Sequence, residues 1–300
     1  MRVLVTGAGG FVGQHLSQYL ASVGDDVLAC PGPGGSGSLD VTDAGAVAER
    51  ILSFQPEGIV HLAGISSVAW SHAYPSRTSL VNGVGTVNVL QGVREHSPKA
   101  HVLVIGSGEM YGRIREGCRA HEDDTLRPLS PYSASKCASE TFARQYAASY
   151  GVHAICVRPF NHIGRGQASQ FVVPSLARQI AEITNGRRDA VIEVGDLTPV
   201  RDFLHVRDVV RGYRLLLERG ERGTPYNLCS GQPCSIRSLL EQLLELSGVK
   251  AKIHLNKDRL RPAEIPWLVG DAARIQRLGW KPEDTVHSAL AEALAEAAEK

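Results

Sequence analysis

The chain has 300 residues, 43% of them hydrophobic and 21% charged, with a formal net charge of +1. This is an ordinary soluble composition with room for one large domain or two small ones. It excludes a strongly basic surface for nucleic acid or anionic membrane, and no apolar run is long enough to span a bilayer. The six cysteines, at 30, 118, 137, 156, 229 and 234, show no Cys-x-x-Cys spacing. They read as reduced thiols of a cytoplasmic protein, with neither a disulfide framework nor a metal site.

Arg2 to Thr6 is a β-rich run leading directly into glycine, so the start reads as a first strand and not as a signal peptide. Gly7, Gly10 and Gly13 then open a helix that runs to about Ser22. Gly7 permits a tight turn, Gly10 lets a pyrophosphate approach the backbone, and Gly13 lets helix and strand pack closely. The free N–H groups and partial positive charge of the helix start suit an anion. A second strand, Asp26 to Cys30, ends in Pro31-Gly32-Pro33-Gly34-Gly35-Ser36-Gly37-Ser38. Neither the ribose-binding acid nor the arginine for a 2′-phosphate is present there, which leaves NADH or NADPH undecided. Asp40 is placed to reach an adenine amino group, and Asp43 reads as the cap of a helix over 44–54.

Gly58 to Gly64 reads as a buried strand ending in small residues, with His61 packed in the strand and not a catalyst. Asn82 begins a helix over 81–96, and the strand from Val102 to Ile105 delivers Gly106 to Gly112. Strand ends at this edge of a parallel sheet are where ligands bind. Ser130-Pro131-Tyr132 is a helix start, with Ser130 as cap and Pro131 at the first helical position. Tyr132 and Lys136 are four apart and share a helix face. A cation beside a phenol is expected to lower its pKa from about 10, which suits proton transfer near neutral pH. Taken alone, the pair reads as well as an exposed surface pair. Further on come a helix to about Leu217, a strand over 225–228, a helix from the Ser235 cap to Ser247 ended by Gly248, and a last helix over 284–298.

In order, the chain carries Thr6-Gly7-x-x-Gly10-x-x-Gly13, Asp40-Val41-Thr42-Asp43, His61-Leu62-Ala63-Gly64, Ser107 four before Tyr111, Tyr132-x-x-x-Lys136 and Arg158-Pro159-Phe160-Asn161. Together these resemble the extended short-chain dehydrogenase/reductases, the NAD-dependent epimerase/dehydratase family that modifies nucleotide sugars. Arg158 to Gln167, Val194 to Leu197, Arg201-Asp202-Phe203 and Leu260 to Pro266 resemble its GDP-sugar branch, which holds GDP-mannose 4,6-dehydratases and GDP-4-keto-6-deoxy-mannose reductases. The resemblance covers essentially the whole chain.

The resemblance implies an α/β fold, a Rossmann-type doubly wound parallel sheet with a smaller C-terminal substrate-binding lobe. It divides the chain into an NAD(P)-binding domain over 1–160, with a returning segment at about 196–228, and a nucleotide-sugar lobe mainly over 161–300. Ser107, Tyr132 and Lys136 match the catalytic triad, and Glu109 joins them. Cofactor contacts fall on Gly7, Gly10, Phe11, Val12, Gly13, Asp40, Val41, Leu62, Ala63, Gly64, Asn82, Tyr132, Lys136, Pro159 and His162. Substrate contacts fall on Ser107, Asn161, Phe171, Val172, Arg201, Arg261 and Glu264, the two arginines gripping the pyrophosphate. Asp202 and Asp208 read as structural. The implied partners are NAD(P)H, a nucleotide-sugar substrate and a second copy of the chain, since the helices over 81–96 and 132–150 form a dimer bundle in the family. Arg165 departs from the family pattern, which has proline there. Gly108 departs too: dehydratases carry a Ser or Asp acid just before the Glu that Glu109 matches. This and the chain's length favour a reductase, with a 4,6-dehydratase, a 4-epimerase and a dinucleotide-binding protein without turnover as rivals, the last opposed by the intact Ser107, Tyr132 and Lys136.

Overall fold

The computed structural model describes residues 1–259 and 265–300. The chain opens as β1 (Arg2–Thr6), α1 (Phe11–Ser22), β2 (Asp26–Cys30), α2 (Ala44–Phe54) and β3 (Gly58–His61). Two short helices, α3 (Val68–Ala73) and α4 (Pro75–Ser79), lead through a π-turn at Leu80–Val84 into α5 (Gly85–His96). Then come β4 (His101–Ile105), a 3₁₀ turn (Gly108–Tyr111), α6 (Pro131–Tyr150) and β5 (His153–Pro159). The chain leaves this body through β6 (Asn161–Ile163), α7 (Val172–Thr184), β7 (Val191–Val194) and β8 (Val200–His205). It returns through α8 (Val206–Arg219) and β9 (Pro225–Leu228). The remainder is β10 (Pro233–Ser235), α9 (Ile236–Ser247), β11 (Lys252–Leu255), β12 (Trp267–Leu268), α10 (Ala273–Gln276) and α11 (Val286–Ala298).

Six parallel strands form the main sheet in the order β2-β1-β3-β4-β5-β9. Both faces are covered, so the strands are apolar throughout and not alternating. Val3 and Val5 point to the α1 and α8 side, where they pack with Leu16, Leu20, Val209 and Leu216. Leu4 points to the α2, α5 and α6 side, with Val47, Val89 and Ala143. The chain steps from β1 to β2 in one direction and from β3 onwards in the other. The carboxyl ends of β1 and β3 therefore flank the crevice where doubly wound sheets bind ligands.

A second core joins α7, α9 and α11 around Ile163, Leu176, Phe203, Leu240 and Leu290. Its sheet is centred on β8. The first half of β8 pairs with β10 and β12, and the second half with β6. The strand lies between the two cores, with Phe203 in the second and Leu204 in the first. Asp202 and Asp208 are structural. The buried Asp202 carboxylate accepts from Ser230 N at 2.7 Å, Gly231 N at 2.8 Å and Gly270 N at 3.2 Å. Asp208 accepts from the backbone of Glu283 and Asp284.

Two helix boundaries differ from expectation. The helix assigned to 81–96 is already under way at Pro75, because Pro75 occupies a first helical position and the π-turn carries the chain through Asn82 without a break. The last helix starts at Val286, capped by the Thr285 side chain, while Asp284 pairs with Arg207 and Arg211. Asp43 caps α2 as expected, accepting from Ala46 N at 3.0 Å. Among the described residues no helix is long and apolar enough to cross a membrane.

Gly13 sets the spacing of α1 against β1. A Cβ there would lie 2.5 Å from the Gly7 carbonyl oxygen and 2.6 Å from the Ala8 Cα. Gly13→Ala is expected to destabilise the fold by about 1–3 kcal/mol, the usual result of forcing a methyl into a packed interior. A urea melt with an unchanged midpoint would contradict that contact.

Candidate active site

The cradle begins at the end of β1. Gly7 turns the chain at φ +68°, and a Cβ on it would strike the Ala63 backbone at 2.6 Å. Gly10 is the N-cap of α1 and offers no capping side chain, so the first N–H groups of the helix face outward. A Cβ at Gly10 would meet only the Gly7 carbonyl, at 3.3 Å. Beside this turn Phe11 stacks on His162 at 6.0 Å between centroids, while Val12 packs on the core. His162 Nδ1 lies 2.9 Å from the Phe160 carbonyl oxygen, and burial lowers its pKa. The cradle fits a dinucleotide: three glycines hold the backbone open beside an uncapped helix start.

The end of β3 forms the opposite wall. Leu62 and Ala63 are half-buried, and Gly64 is exposed. Ala63 N donates to Thr6 Oγ1 at 3.1 Å, and that hydroxyl in turn lies 2.8 Å from His61 Nδ1. Burial drops the His61 pKa to about 3, so the ring stays neutral in the strand. Asn82, in the π-turn, holds the following loop. It accepts from Ile65 N at 2.7 Å and donates to Ile65 O at 3.1 Å and Ser135 Oγ at 2.8 Å. A Cβ at Gly64 would lie 2.9 Å from Asn82 Oδ1 and 3.4 Å from Lys136 Nζ, so only glycine fits between the two. Asp40 Oδ1 is occupied by Thr42, accepting from its N at 2.9 Å and its hydroxyl at 2.7 Å. Val41 is core, packed on Gly85, and Pro159 is buried at the end of β5.

Helix α6 presents Tyr132 and Lys136. Ser130 caps it by accepting from Ser133 N at 3.1 Å, and Ser71 Oγ accepts from Tyr132 N at 3.1 Å. Ser107 ends the β4 extension and heads the 3₁₀ turn, accepting from Glu109 N at 3.2 Å. The Tyr132 phenol lies near Ser107, whose hydroxyl favours its ionised form, and in the field of Glu109, which opposes it. Its pKa is pushed up to about 12, by burial first and by the Glu109 charge second. This corrects the expectation that Lys136 lowers it. The ammonium is turned to the Ile105 carbonyl, 2.8 Å away, and burial lowers its own pKa to about 8. Tyr132 is therefore a protonated phenol across the neutral range, suited to giving a proton.

The family of GDP-mannose 4,6-dehydratases matches residues 37–293 of the chain. The chain belongs to that family. Within it, the sequence is 38% identical to GDP-6-deoxy-D-mannose reductase of Pseudomonas aeruginosa, over 96% of this chain and 94% of that one. It is 31% identical to GDP-6-deoxy-D-talose 4-dehydrogenase of Aggregatibacter actinomycetemcomitans, over 92% and 90%. A solved structure of RMD from Pseudomonas aeruginosa complexed with NADPH superposes at a TM-score of 0.91, with 37% identity and 99% of each chain covered. The fold is the Rossmann-type fold of the extended short-chain dehydrogenase/reductases.

The family's second-lobe positions are more scattered. Asn161 is half-buried on β6, Phe171 is the N-cap of α7, and Val172 is its first residue. Arg201 is buried near the start of β8, opposite Cys234 and Leu268, and donates to the Val200 carbonyl at 2.9 Å. Arg261 and Glu264 lie outside the described residues. Arg165, where the family pattern has proline, pairs with Glu299, the C-cap of α11. Thr6 and Ser135 support the site without a motif role of their own, and the signal for them is a hydroxyl beside a motif residue. The Phe160 ring lies 3.1 Å from where a Cβ on Gly108 would be.

The two shifts are measurable. NMR of the Lys136 side chain is expected to give a midpoint near 8 and not 10.5. In a Tyr132→Phe difference spectrum, the missing phenolate absorbance is expected only near pH 12. A lysine titrating at its ordinary value would contradict the buried ammonium.

Proposed function

We propose that the protein reduces the C4 keto group of a nucleotide-linked 4-keto-6-deoxy sugar, GDP-4-keto-6-deoxy-D-mannose in the first instance, with NAD(P)H. The observation that carries this is the closeness of Ser107, at the head of its turn, to a Tyr132 phenol that burial keeps protonated, beside a glycine at 108. Relatives named as a reductase and a 4-dehydrogenase of GDP-6-deoxy sugars support it.

Gly7, Gly10, Phe11, Val12 and Gly13 would hold the cofactor's phosphates, and Leu62 to Gly64, Asn82 and Lys136 its nicotinamide half. Asp40, Val41, Pro159 and His162 border the remainder. NAD(P)H bound there supplies the hydride for C4. Tyr132 gives its proton to the sugar oxygen as the C=O π bond opens, and Ser107 holds that oxygen. Lys136 sits next to Gly64, where a ribose hydroxyl would lie. Arg201, with Arg261, would grip the pyrophosphate, while Asn161, Phe171, Val172 and Glu264 border the sugar nucleotide. The choice between NADH and NADPH stays open. The cysteine usage and near-neutral charge fit a cytoplasmic enzyme of small metabolites.

A 4,6-dehydratase is the second reading, since Glu109 could supply its base, although related reductases keep that residue as well. In the family pattern elimination needs an acid at position 108, and glycine has no proton to give. Tyr111 is no substitute. Its hydroxyl donates to Asn227 Oδ1 at 2.6 Å and accepts from Arg158 at 2.7 Å, and burial raises its pKa. The loss of a general acid typically slows a step about 10²–10⁴-fold. A reductase needs only hydride and the Tyr132 proton. GDP-4-keto-6-deoxy-mannose is therefore expected to oxidise NAD(P)H stoichiometrically, while GDP-mannose with NAD(P)⁺ is expected to stay unchanged. Mass spectrometry showing GDP-mannose converted to a product lighter by one water would establish the dehydratase instead.

We also propose a homodimer of two-fold symmetry. Leu80 and Val84 on the π-turn, and Phe142 and Tyr150 on α6, are large apolar side chains exposed to solvent. Sedimentation is expected to give the mass of two chains at micromolar concentration. A monomer under those conditions would refute the pairing.

A further inference from the structure

We infer that Arg158 is a positioning residue for the proposed reduction: one buried guanidinium fixes the helix bearing Tyr132 and Lys136 against the turn bearing Ser107 and Glu109. The inference rests on the reading above and adds a residue to it.

Arg158 lies on β5 and is 2% exposed. On one side it forks onto Glu140 of α6, Nε to Oε2 at 2.8 Å and a terminal nitrogen to Oε1 at 2.5 Å. Tyr132, Lys136 and Glu140 follow at four-residue spacing, so they share one helix face. Arg158 thus grips that face one turn beyond Lys136. Two parallel bonds fix orientation as well as distance.

On its other side Arg158 donates to the Tyr111 hydroxyl at 2.7 Å and the Glu122 carbonyl at 2.9 Å. Tyr111 closes the turn that Ser107 heads. Its hydroxyl passes the bond on to Asn227 of β9, which donates from Nδ2 to Ala120 O at 2.8 Å and from its backbone N to Glu122 Oε1 at 2.9 Å. Tyr111 and Asn227 are buried, as are Glu122 and Glu140. Charges and hydroxyls inside a protein are tolerated when every partner is present, and the whole set then has a single arrangement. The network joins the two elements that carry Ser107 and Tyr132. A shift of the turn relative to α6 displaces Ser107 and Glu109, the two groups that act on the phenol.

Tyr111→Phe tests this with the loss of one hydroxyl, which leaves an Arg158 N–H and Asn227 Oδ1 without their bonds. The folded variant is expected to lose about 10- to 100-fold in kcat, the scale set by a misplacement of about 1 Å. Its KM for the keto sugar nucleotide and its NADPH affinity, read from fluorescence quenching, are expected to hold. The double variant Glu140→Leu with Arg158→Met removes both charges together, so no ion is left unpaired. If folded, it is expected to show the same kcat loss with the same KM. Arg158→Lys keeps the charge without the fork and is not expected to restore the rate. Wild-type kcat in either Tyr111→Phe or the folded double variant would overturn the positioning role. So would a parallel loss of kcat, KM and NADPH affinity, which marks a purely structural residue. Tyr132→Phe, measured alongside, separates the two levels. If it keeps wild-type kcat, the reduction mechanism itself is wrong. If it loses activity while Tyr111→Phe does not, only the role of Arg158 falls.

Discussion

A parallel sheet buried on both faces leaves chemistry almost nowhere to go except its strand ends. Val3, Val5, Val60 and Leu103 are fully buried on one face, and Leu4, Ile59 and Val102 on the other. A polar side chain at any of those positions would be buried without water. The reversal of strand order between β1 and β3 then opens a crevice at the carboxyl edge. Gly7, Gly64, Ser107 and Lys136 converge on that edge. The cradle, the proposed proton donor and the buried lysine all follow from this one constraint.

Placing ionisable groups at such an edge has consequences of its own. Lys136 is 7% exposed, so its ammonium is held by one backbone carbonyl and titrates near 8. Tyr132 feels burial and the Glu109 carboxylate, and both disfavour the phenolate. Tyr132 is therefore set to hold its proton, the form that reduction of a carbonyl requires, while burial makes Lys136 give its proton up more readily than an ordinary lysine. Asn82 supports the arrangement from outside, tying the loop after β3 to α6 through Ser135. The π-turn that bears it places one residue out of helical step, a feature often found at functional sites.

The region around Gly108 is shaped by packing as well as by chemistry. The Phe160 ring lies over Gly108 on one side, and on the other a Cβ at Gly270 would come within 2.7 Å of it. A serine or aspartate at 108 would push against that ring, which already has the Tyr111 ring beside it. A side chain at 108 would fit only if the Phe160 ring gave by a few tenths of an ångström.

Much of this was legible in the chain itself. Gly7, Gly10 and Gly13 mark a strand-turn-helix because only glycine tolerates that turn and that close approach. Ser130-Pro131 marks the start of α6 because capping is a local property. Asp43, Ser235 and Gly248 are legible for the same reason, and all three sit where expected. The ordered motifs identified the family. Local signals did not reveal the ionisation of Tyr132, since spacing places Lys136 on its face but does not say which way Nζ turns or how deep the phenol lies. They did not reveal the Arg158–Glu140–Tyr111–Asn227 set either, whose members stand up to 116 residues apart. Nor did they show the π-turn at Asn82. Sequence determines caps, turns and periodicity, because these depend on neighbouring residues. Burial, the partner of each charge and the contacts between distant strands are properties of the assembled interior, and only the tertiary structure decided them.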